Sequence, residues 1–271
     1  MENRSRRVFG YHEETKHHFH RYARSAGGLD WRNQPDPFRV YAGAPRFDLP
    51  LLREDPPLGH IALYDRSATP VQPADLPALG AFFELSMGLS AWKTAGPSRW
   101  SLRMNPSSGN LHPTEAHLVW PGSAALPAGV YHYHPFYHTL EQRMALPEAL
   151  GAELGAAMGQ GAFLVGVSSI FWRESWKYGE RAFRYCLLDT GHVLAAMSVS
   201  AALQGWRVTA LTGLTDAAAA TLLGLDRTAW PELGEEHPEL MCAVHPAGAG
   251  APRGLSPEMI RAFKEVAPVG A

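Results

Sequence analysis

The chain has 271 residues, of which 18% are charged and 46% hydrophobic, and a formal net charge of −2. That length suits one large domain, or a domain with an arm, and the composition excludes a largely disordered chain. The near-zero charge balance gives no electrostatic basis for binding nucleic acid or an anionic membrane, so neither partner is expected.

Residues 1–56 are polar and proline-rich without clean periodicity, and read as an N-terminal arm. The opening MENRSRRVFGYHEETKHHFH lacks the apolar core of a signal peptide. His12, His17, His18 and His20 cluster in it. No cysteine or paired carboxylate completes a ligand set there, so a solvated histidine-rich stretch is expected and no metal site is assigned. Trp31, Phe38, Tyr41 and Phe47 punctuate the arm and imply that it packs on its own domain or on a partner. The main domain is expected over residues 57–250, with a C-terminal helix and extension over 251–271.

Residues 58–64 read as a short extended segment, followed by Asp65, Arg66 and Ser67. Leu76, Leu79, Phe83 and Met87 recur at spacings of three and four, which predicts a helix over 74–87 ended by Gly88. Residues 90–105 read as a loop carrying Trp92, Lys93, Arg99, Trp100 and Arg103. Pro106, Ser107, Ser108, Gly109, Asn110, Leu111, His112 and Pro113 then form a rigid polar turn that runs into a strand at 117–120.

Residues 129–141 read as two strands joined at Pro135, with His132 and His134 on one half-exposed face. A third metal ligand for that histidine pair is not apparent. Helix 148–160, buried strand 162–172 and a long helix over 178–204 follow. The tail of the long helix, LAAMSVSAAL, is apolar nearly all round and predicts a central buried helix. Strands at 206–211 and 240–245 flank a short helix at 216–223, and Ser256-Pro257 opens a last helix. Strands and helices interleave, which gives an α+β or α/β class.

Cys186 and Cys242 are the only cysteines, and both fall in apolar patterns. A disulfide framework is excluded by count, and the expected compartment is reducing and cytoplasmic. No apolar run of membrane-spanning length stands out in the sequence.

Three groups of residues bear on chemistry. Ser107, Ser108 and His112 lack the G-x-S-x-G elbow of a serine hydrolase. Lys177, Tyr178, Arg181 and Arg184 open an apolar helix, where cations oppose the helix dipole. They serve either as structural partners of Glu174, Glu180 or Asp189, or as acid–base groups in a pocket. Arg66, Arg99 and Arg103, with Ser67, are cations of the type that hold a phosphate, yet no dinucleotide fingerprint or P-loop is present.

The stretch 106–113 resembles the P-S-S-x-N-x-Q-P signature of the nitroreductase superfamily, with His112 in place of the usual Gln. With Glu115, LPAGVYHYHP and KYGERAFRYCLLDTGH, the chain is most similar to the SagB-type branch, which includes azoline dehydrogenases. The similarity covers about residues 60–246. It implies an FMN protein of α+β fold with a central, mainly antiparallel sheet, forming a homodimer with flavin at the subunit interface.

By position, the resemblance assigns Pro106, Ser107, Ser108, Asn110 and His112 to the flavin ring. Arg103 would lie nearby, Arg66 and Ser67 at the phosphate, and Leu211, Thr212 and Gly213 near flavin N5. Lys177 and Tyr178 match a proton-transferring pair. Asp65 and Thr69 stand where the family's clamp is basic, and a carboxylate beside a phosphate is repulsive. The activity implied is hydride exchange on a peptide azoline, or on nitro groups and quinones with NAD(P)H. A non-catalytic subunit that binds a partner is the rival from another class.

Overall fold

The computed structural model describes residues 2–56, 58–59, 63, 69–250, 252 and 254–269. Nine strands are described: β1 (Arg46–Asp48), β2 (Leu89–Ala95), β3 (Ser98–Arg103), β4 (Thr114–Trp120), β5 (Gly129–His134), β6 (Thr139–Ala145), β7 (Phe163–Ser169), β8 (Trp206–Ala210) and β9 (His237–Pro246). Seven of them form one sheet of order β1-β6-β5-β4-β7-β9-β8, with every neighbouring pair antiparallel. The helices are α1 (Glu2–Thr15), α2 (Leu76–Met87), α3 (Glu148–Met158), α4 (Phe171–Tyr178), α5 (Ala182–Leu203), α6 (Asp216–Leu223) and α7 (Pro257–Lys264). This is the α+β architecture that the resemblance implies.

Side chains alternate across the central strand β4 and divide the core in two. Ala116, Leu118 and Trp120 pack with Phe82, Phe83, Val193 and Met197 of α2 and α5. Val119 faces the other way, into a core with Leu154 of α3, Leu222 of α6 and Phe263 of α7. The caps agree with the sequence: Asp75 accepts from the Ala78 N–H, and Ser256 accepts from the Met259 N–H ahead of Pro257. Cys186 and Cys242 are free and buried.

At one end of that second face the core is charged instead of apolar. His132, fully buried, bridges the carboxylates of Glu115 at 2.9 Å and Glu141 at 3.1 Å. Burial opposes its charge, but the two carboxylates outweigh burial and raise its pKa. His117 contacts Glu236 at 2.9 Å. The arm closes over this cluster: the Tyr41 hydroxyl donates to Glu236 at 2.5 Å, and the Tyr41 N–H donates to Glu141 at 3.2 Å. The His132/His134 face is therefore buried, not half-exposed, and His132 is an ion-pair partner. Among the described residues no cluster fit to hold a metal occurs.

Three local expectations change. Residues 2–15 form a helix whose anchors are few: Tyr11 donates to the Glu180 carbonyl at 2.8 Å, and Thr15 is buried one turn on. The helix is polar along most of its length and carries no readable apolar stripe. Residues 89–103 form a hairpin around Gly96-Pro97 instead of a loop. It forms a separate two-stranded sheet whose β2 and outer half of β3 are exposed, so Trp92, Lys93, Arg99 and Trp100 show no buried pattern, while Ser101 and Arg103 at its base are buried.

The helix expected over 178–204 is α5, but it starts at Ala182, is buried on one side only, and is preceded by α4, which was not expected. Gly179, at φ 54° and ψ −125°, ends α4 before α5 begins. One side of α5 packs on the sheet through Val193, Met197 and Ala201, while Phe183, Leu187, Leu188 and Val199 are about half exposed. Residues 171–203 are long and apolar enough for a membrane span by composition alone. The break and the packing of α5 into the core mark this stretch as the fold's core helix.

Candidate active site

The turn between β3 and β4 is set by three left-handed residues: Gly109 at φ 62°, Asn110 at 59° and His112 at 48°. Such angles cost about 1–2 kcal/mol for a residue with a side chain, although Asn tolerates them best. The conformation persists because the surroundings hold it. The Ser107 hydroxyl donates to Asp189 at 2.7 Å and accepts the His112 N–H at 2.8 Å. Ser108 donates to the same carboxylate through its N–H and its hydroxyl, each at 3.1 Å. Arg173 donates to the His112 carbonyl at 2.6 Å and pairs with Glu115. Asn110 donates to the Ser101 carbonyl at 2.9 Å and accepts from His112 Nε2 at 2.9 Å.

His112 is 1% exposed. Burial, then the nearby Arg103 and Arg173 guanidinium groups, press its pKa down to about 2, so the ring is neutral and its Nδ1 is an acceptor. That Nδ1 has no hydrogen-bond partner among the described residues, nor has the buried Asn105 amide or Arg103 Nε. Arg103 donates to the Pro37 carbonyl at 2.5 Å and stays cationic at neutral pH although burial lowers its pKa to about 10.

The tip of the turn meets α4. A Cβ on Gly109 would lie 2.6 Å from the Tyr178 hydroxyl oxygen and 2.9 Å from Lys177 Nζ. At φ 62° a side chain here would also be strained, which favours glycine at this contact. The structure thus brings together Lys177, Tyr178 and the polar turn, which are about seventy residues apart in sequence. Burial, then Glu174 and Tyr185, raises the Tyr178 pKa. Glu174, one turn before this pair, is fully buried with neither carboxylate oxygen hydrogen-bonded among the described residues. Burial, then Asp189, pushes its pKa up to about 9, so it is a neutral acid at pH 7.

The remaining cations of this segment do not pair with Glu174, Glu180 or Asp189. Arg184 donates to Thr15 and His12 of α1, and the Arg181 guanidinium lies 4.8 Å from the Tyr185 ring centroid. Glu180 pairs with Arg24 of the arm. Asp189 is taken by the serines, a role that sequence reasoning missed. Its only signal was a lone carboxylate in an apolar helix. Arg173 and Glu174 were missed for the same reason, since each acts through tertiary contacts.

Pro106 is exposed at the start of the turn. Arg66, Ser67 and Asp65 lie outside the described residues, as does most of the segment 58–64. Leu211, Thr212 and Gly213 follow β8, with Leu211 N–H donating to the Met241 carbonyl at 2.8 Å. β8 is three strand spacings from β4, about 14 Å. Among the described residues no hydrogen bond joins Leu211, Thr212 or Gly213 to the turn.

An antiparallel sheet walled by helices, with a serine–asparagine turn pressed against a lysine–tyrosine pair, defines a nitroreductase-type α+β protein. The nitroreductase family model matches residues 89–244, more than half of the sequence, and the chain belongs to that family. No curated protein matches the chain in sequence.

Among solved structures, a protein assigned as a nitroreductase from Anabaena variabilis superposes with a TM-score of 0.68 at 24% identity, over 97% of this chain and 55% of that one. This chain therefore spans little more than half the length of that relative. A second such protein, from Ralstonia eutropha, gives 0.55 at 16% identity over 78% of this chain and 93% of its own. The E. coli microcin synthetase McbBCD complex, solved with truncated pro-MccB17 bound, gives 0.50 at 20% identity over 67% of this chain and 66% of that one. At these identities the likeness is one of fold.

Proposed function

We propose that the chain is an FMN-dependent oxidoreductase of the SagB-type dehydrogenase branch, acting on a peptide azoline. Family membership supports an oxidoreductase and a flavin. The observation that carries the finer reading is the approach of Gly109 to Lys177 and Tyr178, because it sets two proton-bearing groups against the turn assigned to the flavin.

The residues at the turn fit the ring of FMN. Asn105, the neutral His112 Nδ1 and Arg103 Nε are buried polar atoms without partners among the described residues, of the donor and acceptor types that a pyrimidine edge pairs with. Ser107 and Ser108 are engaged by Asp189, so they shape the cradle. When bound, FMN supplies hydride exchange at its N5. Arg103 contributes a fixed positive charge beneath the turn. Tyr178 holds its proton firmly, and Lys177 beside it takes or returns one at the substrate.

Leu211, Thr212 and Gly213 sit across the sheet, and the apolar residues Phe183, Leu187 and Leu188 of α5 are exposed. Both observations favour a site completed by a second subunit. The partner is a copy of this chain, or a related subunit as the multi-subunit microcin synthetase suggests. A cytoplasmic location belongs to the same proposal.

The test is turnover by FMN-loaded protein on two substrate sets: a peptide thiazoline with an electron acceptor, and NAD(P)H with a quinone or nitroarene. Oxidation of the thiazoline, seen as a 2 Da mass loss, is the expected result. Quinone or nitro reduction alone would move the chain to the NAD(P)H-dependent reductases. FMN binding without either turnover would leave the non-catalytic subunit.

A further inference from the structure

The N-terminal arm and the β2–β3 hairpin meet in front of the polar turn and enclose a cavity of about 460 Å³. Trp31 and Gln34 come from the arm, Arg99 and Trp100 from the hairpin, Asn110 from the turn, and Trp176 with Lys177 from α4. Small-ligand cavities run from about 300 to 1,000 Å³, so the space suits a compact ring system. A smaller neighbouring recess of about 200 Å³ shares Arg99 and Trp100 and adds Trp92.

The walls are largely aromatic. Trp31 meets Trp176 edge-on, with ring centroids 5.5 Å apart, and Trp176 Nε1 donates to the Asp30 carbonyl at 3.0 Å. Trp31 and Trp100 keep 67% and 36% of their surface exposed, which leaves aromatic faces without a partner. The charge is one-sided. Arg99 lies 4.3 Å over the Trp92 ring, which fixes its guanidinium at the cavity wall, and Lys177 reaches the same space. Neither forms an ion pair with a carboxylate of the described residues, and no acidic residue lines the cavity.

Aromatic faces select a planar ring, and two uncompensated cations select an anion on its rim. We propose that this cavity binds a small aromatic carboxylate, with its ring against the tryptophans and its carboxylate toward Arg99 and Lys177. The arm and the hairpin supply half of the lining and the turn and α4 the other half, so the site adjoins the groups assigned to the flavin and its chemistry, and binding with and without FMN tells the two readings apart.

Sodium 2-naphthoate titrated into the full chain, followed by tryptophan fluorescence and calorimetry with and without saturating FMN, tests the proposal. Saturable binding is expected in both conditions. Methyl 2-naphthoate, with the same ring and no charge, should bind at least about tenfold more weakly. Arg99→Gln should weaken naphthoate at least about fivefold and leave the ester unchanged, while Trp100→Ala should weaken both. Circular dichroism melts check that each variant folds. Equal affinity for acid and ester, or an Arg99→Gln variant that binds naphthoate as well as the parent, overturns the proposal. Displacement of naphthoate by FMN also overturns it, since the cavity would then be the flavin's own place. An FMN titration without naphthoate reports on the flavin reading separately.

Discussion

The turn over residues 104–113 and the α4–α5 junction at Lys177–Gly179 face each other at Gly109, yet they are held in very different ways. The turn is over-determined. Asp189, Arg173 and Ser101 grip it from three elements, which lets it keep three left-handed residues in a row of four. The junction is under-determined: Lys177 has no carboxylate partner among the described residues, and Glu174 behind it is buried with both oxygens unpaired. A rigid cradle beside loosely satisfied titratable groups is the division expected of a site that must position one thing and move protons to another.

Removing the grip should have the largest effect. Asp189→Ala leaves the Ser107 hydroxyl and the Ser108 N–H without their acceptor, at a cost of about 2–4 kcal/mol in chemical denaturation. It should also abolish FMN retention, because the left-handed backbone loses its support. If Asp189→Ala unfolds with the parent's midpoint, the turn is not held as described.

Changing the junction should do the reverse. Lys177→Ala is expected to cost about 100-fold or more in turnover, with stability within about 0.5 kcal/mol of the parent and flavin still bound. Full turnover in that variant would remove Lys177 from the chemistry. Gly109→Ala probes the contact between the two regions. The new Cβ would strike the Tyr178 hydroxyl at 2.6 Å from a strained φ of 62°, so a loss of about 1–2 kcal/mol and lower turnover should appear together. A variant as stable as the parent would show that the regions do not touch.

The smallest effect is in pH dependence. His112 is neutral in the fold, with its pKa depressed to about 2 from an ordinary value of 6.5. Its contribution is therefore complete above pH 6.5 and is lost as pH falls from 6.5 toward 2, by up to about 1.4 kcal/mol per pH unit. His112→Gln has no such proton to gain. Its denaturation midpoint should fall less than the parent's between pH 6.5 and pH 5, and parallel profiles would contradict the buried neutral ring.

Much of the site's chemistry was legible before its shape was. The turn at 106–113 and the pair Lys177–Tyr178 could be picked out because local residue types carry them. β7 was legible as a continuous apolar run, and β5 from the alternation of Tyr131 and Tyr133 with His132 and His134. What holds the turn was not legible. Asp189 is 82 residues from Ser107, and Arg173 is 61 from His112, so nothing local marks either contact. The hairpin was read as a loop because β2 and the first half of β3 are exposed, and α1 was missed because its polar sequence carries no apolar stripe and its contacts with Glu180 and Arg184 run through Tyr11, His12 and Thr15. Gly179 fell at the start of the helix expected over 178–204, and α4 before it was not expected because Phe171 and Trp172 read as the end of the preceding strand.

The central claim is that the gripped turn cradles FMN against Lys177 and Tyr178. Its most direct measurement is the absorbance and fluorescence of purified protein titrated with FMN. The account predicts a saturable complex with a perturbed flavin spectrum, retained through gel filtration and lost in Asp189→Ala. A parent protein that stays colourless and leaves the spectrum of added FMN unchanged would contradict it.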